Sequence, residues 1–468
     1  MYPPLVGRAR QYLTVWGLGA VLERLERFLD EPQLRAGLIK PAAFVRPKRL
    51  YSLRVTMQIF LTQCLSQDHS CRTAVATAKE RGWLPPSASP DTAAYCRARD
   101  ALSAGGLSQA VVQTGAALDA RVSPDHLWLG RRVRVIDGTG IALPDTPANQ
   151  ADYPQPAEQK PGCGFPVLRL VALLSLATGA VVQYALSSLH AHEQRLFHYL
   201  RPFLTPGDVV LGDRNFGTFA NLVLLQRHGV DAVFRQHHAR TTHGQQRTRL
   251  GKGDYLVQWH TRPGYRPPGL APSVDLPKTV IVREVTFPVT QPGFRTQAVT
   301  LVTTLRDAKH YPAEALALLY CRRWAMELWL RDIKTTLGME MLRTKTPSRV
   351  QAEVAMFLLG YNLIRAVMHD AAQLTHAALS RLRFTSTLVR VRLWCARCAR
   401  PEALRTWRMD YPRLLHALAR DVNPHRPGRV EPRVIKRRPK PFPRMQQPRR
   451  VLRAALLRAE SCGVSKAS

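Results

Sequence analysis

Acidic residues are scarce in this sequence. Only 33 Asp and Glu stand against 68 Lys and Arg, which leaves a formal charge of +35 on 468 residues. A polyanionic partner is the leading inference, because each Lys or Arg set against a phosphate releases condensed counterions. The competing reading is a soluble protein that is merely basic, or one that binds a membrane surface. Long uncharged apolar runs are missing too. The best stretch, Val167 to Leu189, contains Arg169 and is broken by Ala177-Thr178-Gly179 in the manner of a hairpin, which argues against a membrane span. Met1-Tyr2-Pro3-Pro4 does not start a signal peptide. Clustered cysteines are absent. The eight are dispersed, as suits reduced thiols in a cytoplasm, and Cys395 and Cys398 form one Cys-x-x-Cys with no second pair nearby, so they read as helix residues and not as a zinc site. No internal repeat is found. What the chain does have is 45% hydrophobic residues and the length for two to four folded domains.

Residues 1–125 read as helical. Apolar periodicity runs through Val15–Leu29, Val55–Leu65 and Leu107–Leu118, and Ser89 with Pro90 resembles a capped helix start. Arg46, Lys48, Arg49, Arg54, Arg97 and Arg99 make this bundle a candidate grip for duplex DNA. From Arg131 the texture changes. Arg131 to Asp137 alternates and ends in Gly138-Thr139-Gly140, which places Asp137 at the carboxyl end of a strand. A hairpin follows (Pro166–Leu176 with Ala180–Ser188), then a helix over Glu193–Leu204 and the short strand Val209-Val210-Leu211, which delivers Asp213. Next come a helix, Phe219–His228, and a strand, Ala232–Phe234. The fold class is α/β with a mixed sheet.

Turn signals at Gly251-Lys252-Gly253 and Pro263-Gly264 predict an inserted β subdomain over residues 236–295, with Arg247, Arg249, Lys252, Arg262 and Arg266 on its loops. The core resumes with a strand, Ala298–Leu305, and one long helix, Ala313–Leu337, so it covers residues 126–235 and 296–375. Residues 376–468 are helical and then basic. The stretch from Arg426 to Arg450 is rich in Pro and Arg with Glu431 its sole acid, and is expected to lie extended or to order on a phosphate backbone.

The long helix rewards arithmetic at about 100° per residue. Relative to Tyr320, Arg323 falls at about 300°, Glu327 at about 340° and Lys334 at about 320°, so the four share one polar stripe. Trp324 and Arg331 flank it at about 40° and 20°, and Asp332 points elsewhere. An Arg323–Glu327 pair at i,i+4 is by itself an ordinary solvated salt bridge. The set as a whole shifts the balance, because Asp137 and Asp213 stand at strand ends in the same α/β segment. Three carboxylates with no Cys or His among them suit Mg²⁺ or Mn²⁺, and two such ions about 4 Å apart serve in-line displacement at phosphorus. Nearby Arg and Lys would hold phosphates, and Trp324 would stack on an unstacked base. His190, His192, His237 and His238 read as helix-end or loop residues rather than zinc ligands.

The run Tyr320-x2-Arg323-x3-Glu327-x6-Lys334 resembles the Tyr-Arg-Glu-Lys signature of the insertion-sequence-four type of DDE transposases, at four positions and three spacings. Asp137-Gly138-Thr139 resembles the family's first catalytic block and Gly212-Asp213-Arg214-Asn215-Phe216-Gly217 its second, although a Gly or Ala often stands where Asn215 does. The likeness extends to Leu301–Leu305, to Lys334–Met339 and to Gly360–Arg365, and spans residues 40–370 in order. It implies an RNase H-like core with Asp137, Asp213 and Glu327 as the catalytic, metal-holding triad. It also implies DNA contacts from Tyr320, Arg323 and Lys334, with Trp324 and Arg331 beside them. Two divalent cations, double-stranded DNA from element ends and target, and a homodimer holding two ends would complete the reaction of cleavage and strand transfer. A nuclease that cleaves without joining and a non-catalytic DNA-binding derivative are the alternatives.

Overall fold

The computed structural model describes residues 37–40, 50–237, 240, 246–261, 269–271, 274–289, 298–398, 407–424 and 445–461. The expected helix Val15–Leu29, Arg46, Lys48, Arg49, Arg262, Arg266, His238 and most of the Pro/Arg-rich stretch lie outside them.

Four helices open the described chain: α1 (Leu53–Leu65), α2 (Cys71–Glu80), α3 (Ala93–Asp100) and α4 (Ala104–Asp119). Serines start three of them. Ser52, Ser70 and Ser103 each accept a backbone N–H of the first turn, which satisfies donors the helix itself leaves free. At α3 the expected start is displaced. Ser89 and Pro90 belong to a preceding turn, and the helix begins at Ala93, whose N–H donates to Asp91 at 3.2 Å.

Nine strands follow: β1 (Val133–Ala142), β2 (Val167–Ser175), β3 (Val181–Ser188), β4 (Val209–Gly212), β5 (Asp231–Arg235), β6 (Arg247–Gly251), β7 (Asp254–His260), β8 (Thr279–Pro288) and β9 (Ala298–Thr303). They form one mixed sheet in the order β3-β2-β1-β4-β5-β9-β8-β7-β6. β1 pairs antiparallel with β2 and parallel with β4, and β4 pairs parallel with β5. The predicted hairpin is present, so the longest apolar stretch is two strands. Its near-continuous hydrophobicity has a simple cause: both faces of the sheet are covered. Leu168, Leu170, Ala172 and Leu174 of β2 enter one core cluster, while Val171 and Leu173 enter the other, the period of two that a pleated strand imposes.

The helices between and after the strands are α5 (Pro147–Asp152), α6 (Glu193–Leu200), α7 (Phe219–Arg227), α8 (Ala313–Cys321), α9 (Trp324–Arg331), α10 (Pro347–Thr375), α11 (Phe384–Cys398), α12 (Trp407–Arg420) and α13 (Arg449–Ser461). Side chains of α6 and α7 fill one core cluster, and those of α1, α4 and α10 fill the other. α10 is long and apolar enough to cross a membrane, yet 94% of its apolar window is buried inside the fold. A helix apolar all round needs such cover.

Asn362 of α10 ties the layers together. It accepts from Val181 N at 2.8 Å and donates to Val181 O at 2.9 Å and to Val111 O at 3.1 Å, which joins β3 to α4. Beside it Tyr361 donates to Gly179 O at 2.8 Å and Arg365 to Thr178 O at 2.8 Å. The Gly360–Arg365 motif thus grips the β2–β3 turn.

The inserted strands join the central sheet: β8 pairs with β9 and β9 with β5, so β6 to β8 extend it. One expectation about the insertion changes. Arg247 and Arg249 lie on β6 rather than on a loop. The junction is sealed by Arg283, fully buried, which pairs with Asp254 at 2.6 Å and donates to Tyr311 O at 2.6 Å. Such a buried guanidinium is tolerated because its charge is matched and its donors are used.

Candidate active site

Asp137 does not end its strand. β1 runs on through Gly138-Thr139-Gly140 to Ala142, because β2 pairs with it along that whole length. What ends at this level is the other neighbour: β1 and β4 pair from Val133↔Val209 to Val135↔Leu211, and β4 stops at Gly212. Asp137, still within β1, and Asp213, one residue past the end of β4, therefore stand side by side, each two residues beyond the last β1–β4 pair. Gly212 is required there, since a Cβ would come within 2.9 Å of Ile136 and 3.0 Å of Phe234.

Each aspartate is anchored locally. Gly138 N donates to Asp137 Oδ1 at 2.8 Å, and Asn215 N donates to Asp213 Oδ1 at 2.9 Å in an Asx turn. The third carboxylate arrives from α9, which packs on β1. Arg323 joins them: its guanidinium lies 2.8 Å from Glu327 Oε1 and 4.0 Å from Asp137 Oδ2, with the Tyr320 ring 5.7 Å away. Burial pushes the Asp137 carboxyl up to about 6, with Asp213 and Glu193 adding to the rise and Gly138 N–H and Arg323 opposing it. Burial likewise pushes the Tyr320 phenol up, against the pull of Arg323 and Arg235. For Arg323 burial disfavours the charge, but Tyr320, Glu327 and Asp137 outweigh it and its pKa is raised.

The helix that carries this signature is not one α-helix. α8 ends at Cys321, α9 begins at Trp324, and Asp332–Thr336 is a π-helical turn. The first break leaves Tyr320, Arg323 and Glu327 together. The second changes the phase of Lys334 relative to Glu327, and the Lys334 backbone carbonyl accepts from Glu340 N at 3.0 Å. Trp324 is 51% exposed. Arg331, one turn after Glu327 on α9, lines a cavity of about 800 Å³ with Arg322, Trp329 and Asp332. Of the eight residues singled out by sequence, five converge here: Asp137, Asp213, Tyr320, Arg323 and Glu327.

Residues 128–363 match the family described as transposase DDE domain. The chain belongs to that family. Over 361 residues it is 28% identical to transposase InsG for insertion sequence element IS4 of Escherichia coli strain K12, covering 75% of this chain and 77% of that protein. Among solved structures, it is similar to the piggyBac transposase of a synaptic complex with hairpin DNA, with 9% identity, 87% of each chain covered and a TM-score of 0.43. The family match makes it an enzyme, a DDE transposase, and the likeness to the IS4 transposase makes it one of the insertion-sequence-four type. DDE transposases generally use divalent metal ions.

The residues fit such an ion in charge and in donor type. Asp137 is desolvated beside Asp213, a repulsion that a cation relieves, and the oxygen-only set favours a hard one. Among the described residues no group of three His, Cys, Asp or Glu side chains is close enough to hold a metal ion as it stands. The Arg323 guanidinium stands between Asp137 and Glu327, 4.0 Å from the one and 2.8 Å from the other.

Two neighbours of the site escaped the sequence reading. Glu193, at the head of α6, has its Oε1 2.6 Å from where a Cβ on Gly138 would lie. Gln194 donates to Asn215 O at 3.0 Å. The available signal was their position, in the first turn of the helix that follows the β2–β3 hairpin.

Proposed function

We propose that this transposase binds the ends of its mobile element and cuts and joins DNA by phosphodiester chemistry, with Asp137, Asp213 and Glu327 holding Mg²⁺ or Mn²⁺. The observation that carries the reading is the register of β1 and β4, which sets two aspartates side by side with Glu327 reached through Arg323. The sheet supports an RNase H-like core: an antiparallel β1-β2-β3 meander with β4 and β5 added parallel to β1.

A pair of divalent ions, when bound, polarises the scissile phosphate and stabilises both attacking and leaving oxygens. The chain's own residues do the rest. Asp137 and Asp213 hold their carboxylates fixed through the Gly138 and Asn215 N–H groups. Arg323 is bound to Glu327 without DNA and is placed to exchange that carboxylate for a phosphate, a bidentate partner of the same geometry. Tyr320 buttresses Arg323, Trp324 presents an exposed ring for an unstacked base, and Lys334 contributes a point charge near the cleaved end. The basic surplus binds double-stranded DNA from element ends and target, and a homodimer brings two ends together.

The test is Asp137→Asn in a cleavage and strand-transfer assay with end-containing DNA and Mg²⁺. Chemistry is expected to fall at least a thousandfold, on the order of what loss of a metal-held centre costs, while end binding persists. An unchanged cleavage rate sinks the active-site assignment. Cleavage with no joined product in the unmodified protein would reduce the activity to that of a nuclease.

A further inference from the structure

The triad accounts for three acids at this site, but a fourth stands beside them. Glu193 opens α6, and its carboxylate fills the space over Gly138, with Oε1 2.6 Å, Cδ 3.0 Å and Cγ 3.4 Å from the position a Cβ would take. Any residue other than glycine at 138 would expel it. Among the described residues no ion pair or side-chain hydrogen bond holds this carboxylate, although the protein carries twice as many basic as acidic residues. An acid left unneutralised next to Asp137 in so basic a chain needs a reason.

The next residue supplies an independent pointer. Gln194 is only 7% exposed and sends its Nε2 to the carbonyl of Asn215, in the turn that carries Asp213. The oxygen of the same amide is buried with no hydrogen-bond partner. A buried amide oxygen without a donor is costly unless something present in the working state supplies one, and a water bound to a cation is such a donor. One helix start thus meets the backbone beside both aspartates, Glu193 over Gly138 of β1 and Gln194 at the Asp213 turn.

We propose that Glu193 is a fourth acidic residue of the catalytic centre, accepting from the water shell of the divalent ion beside Asp137, and that Gln194 is the positioning residue that holds the Asp213 turn against the same helix. This rests on the metal-dependent reading above. Mg²⁺ and Mn²⁺ keep several waters in protein sites, so an outer acid that orders those waters adds affinity without itself being a ligand.

The experiment titrates the full chain with Mn²⁺ alone, reading free ion by its paramagnetic resonance signal, and compares Glu193→Gln, Gln194→Ala and Asp137→Asn. Glu193→Gln is expected to weaken Mn²⁺ binding by about tenfold, as outer-shell partners of metal sites do. Its melting temperature without metal, and its binding of end DNA without metal, should be no lower than in the unmodified protein. Gln194→Ala should weaken Mn²⁺ binding in the same direction. If Glu193→Gln binds Mn²⁺ as tightly as the unmodified chain while Asp137→Asn does not, the proposal is overturned and the triad stands. A Glu193→Gln protein that melts earlier would mark a structural residue and overturn it as well. If Asp137→Asn also binds normally, the metal-dependent reading itself fails.

Discussion

At the scale of single residues, the proposed centre of this enzyme is a place where like charges are forced together. Asp137 is buried next to Asp213, and its carboxyl is held up to about 6 from an ordinary 3.8. The folded state therefore binds that proton more tightly than the unfolded chain does. The stability this contributes is fully present below about pH 4 and is lost as pH rises through about 6. Asp137→Asn removes the loss, so the metal-free variant should be more stable than the parent at pH 7, on the order of 1–3 kcal/mol, with the advantage gone at pH 4. Urea unfolding in chelator at the two pH values checks this; equal stabilities at pH 7 would mean the carboxylate is not strained. The same competition with protons should weaken metal loading as pH drops below 6. Asp137, Asp213 and Glu327 are legible in the sequence as candidates, because their types and neighbours single them out. Glu193 is not, since nothing in the sequence says that the start of α6 comes back over Gly138.

At the scale of elements, what matters is where regular structure gives way. The stripe calculated for an unbroken helix holds for Tyr320, Arg323 and Glu327, whose spacings are short. It does not carry to Lys334, because the segment loosens into a π turn at Asp332, a kind of turn that often occurs at functional sites. β1 shows the converse error. Asp-Gly-Thr-Gly reads as a turn, yet pairing with β2 holds it extended, and cross-strand partners outweigh local turn preference. Asn362 is the element-level test of the core. Its side chain satisfies three buried backbone groups on β3 and α4. Asn362→Ala should lower unfolding free energy by about 3–5 kcal/mol, since buried backbone groups lose their partners. Chemical denaturation measures this, and a loss under about 1 kcal/mol would show that the clamp is dispensable.

For the whole molecule the governing quantity is charge. A surplus of +35 cannot be neutralised within the chain, and association with DNA must be strongly salt-dependent. Affinity for end-containing DNA is expected to fall about a thousandfold between roughly 50 and 200 mM salt, the drop for about six phosphate contacts. Filter binding or fluorescence anisotropy across that range checks it, and a flat response would mean the basic surface does not meet phosphates. The extended sheet is the other whole-molecule feature. By continuing the central sheet through β9 into β8, β7 and β6, the insertion is fixed to the core by a hydrogen-bonded ladder and by the buried Arg283–Asp254 pair, so it is built to hold position.

The sequence alone determined the chemistry on offer: the polyanion partner from charge, the α/β class from periodicity, and the candidate acids from a signature with fixed spacing. These are local or summed properties, which a linear text carries in full. Tertiary structure decided which of those acids meet, because that depends on the register of β1 against β4 and on the breaks around α9. It also set Arg323 between Asp137 and Glu327 and brought Glu193 over Gly138. Contacts between residues far apart in the chain are set by packing and pairing of whole elements, and no short stretch of sequence encodes them.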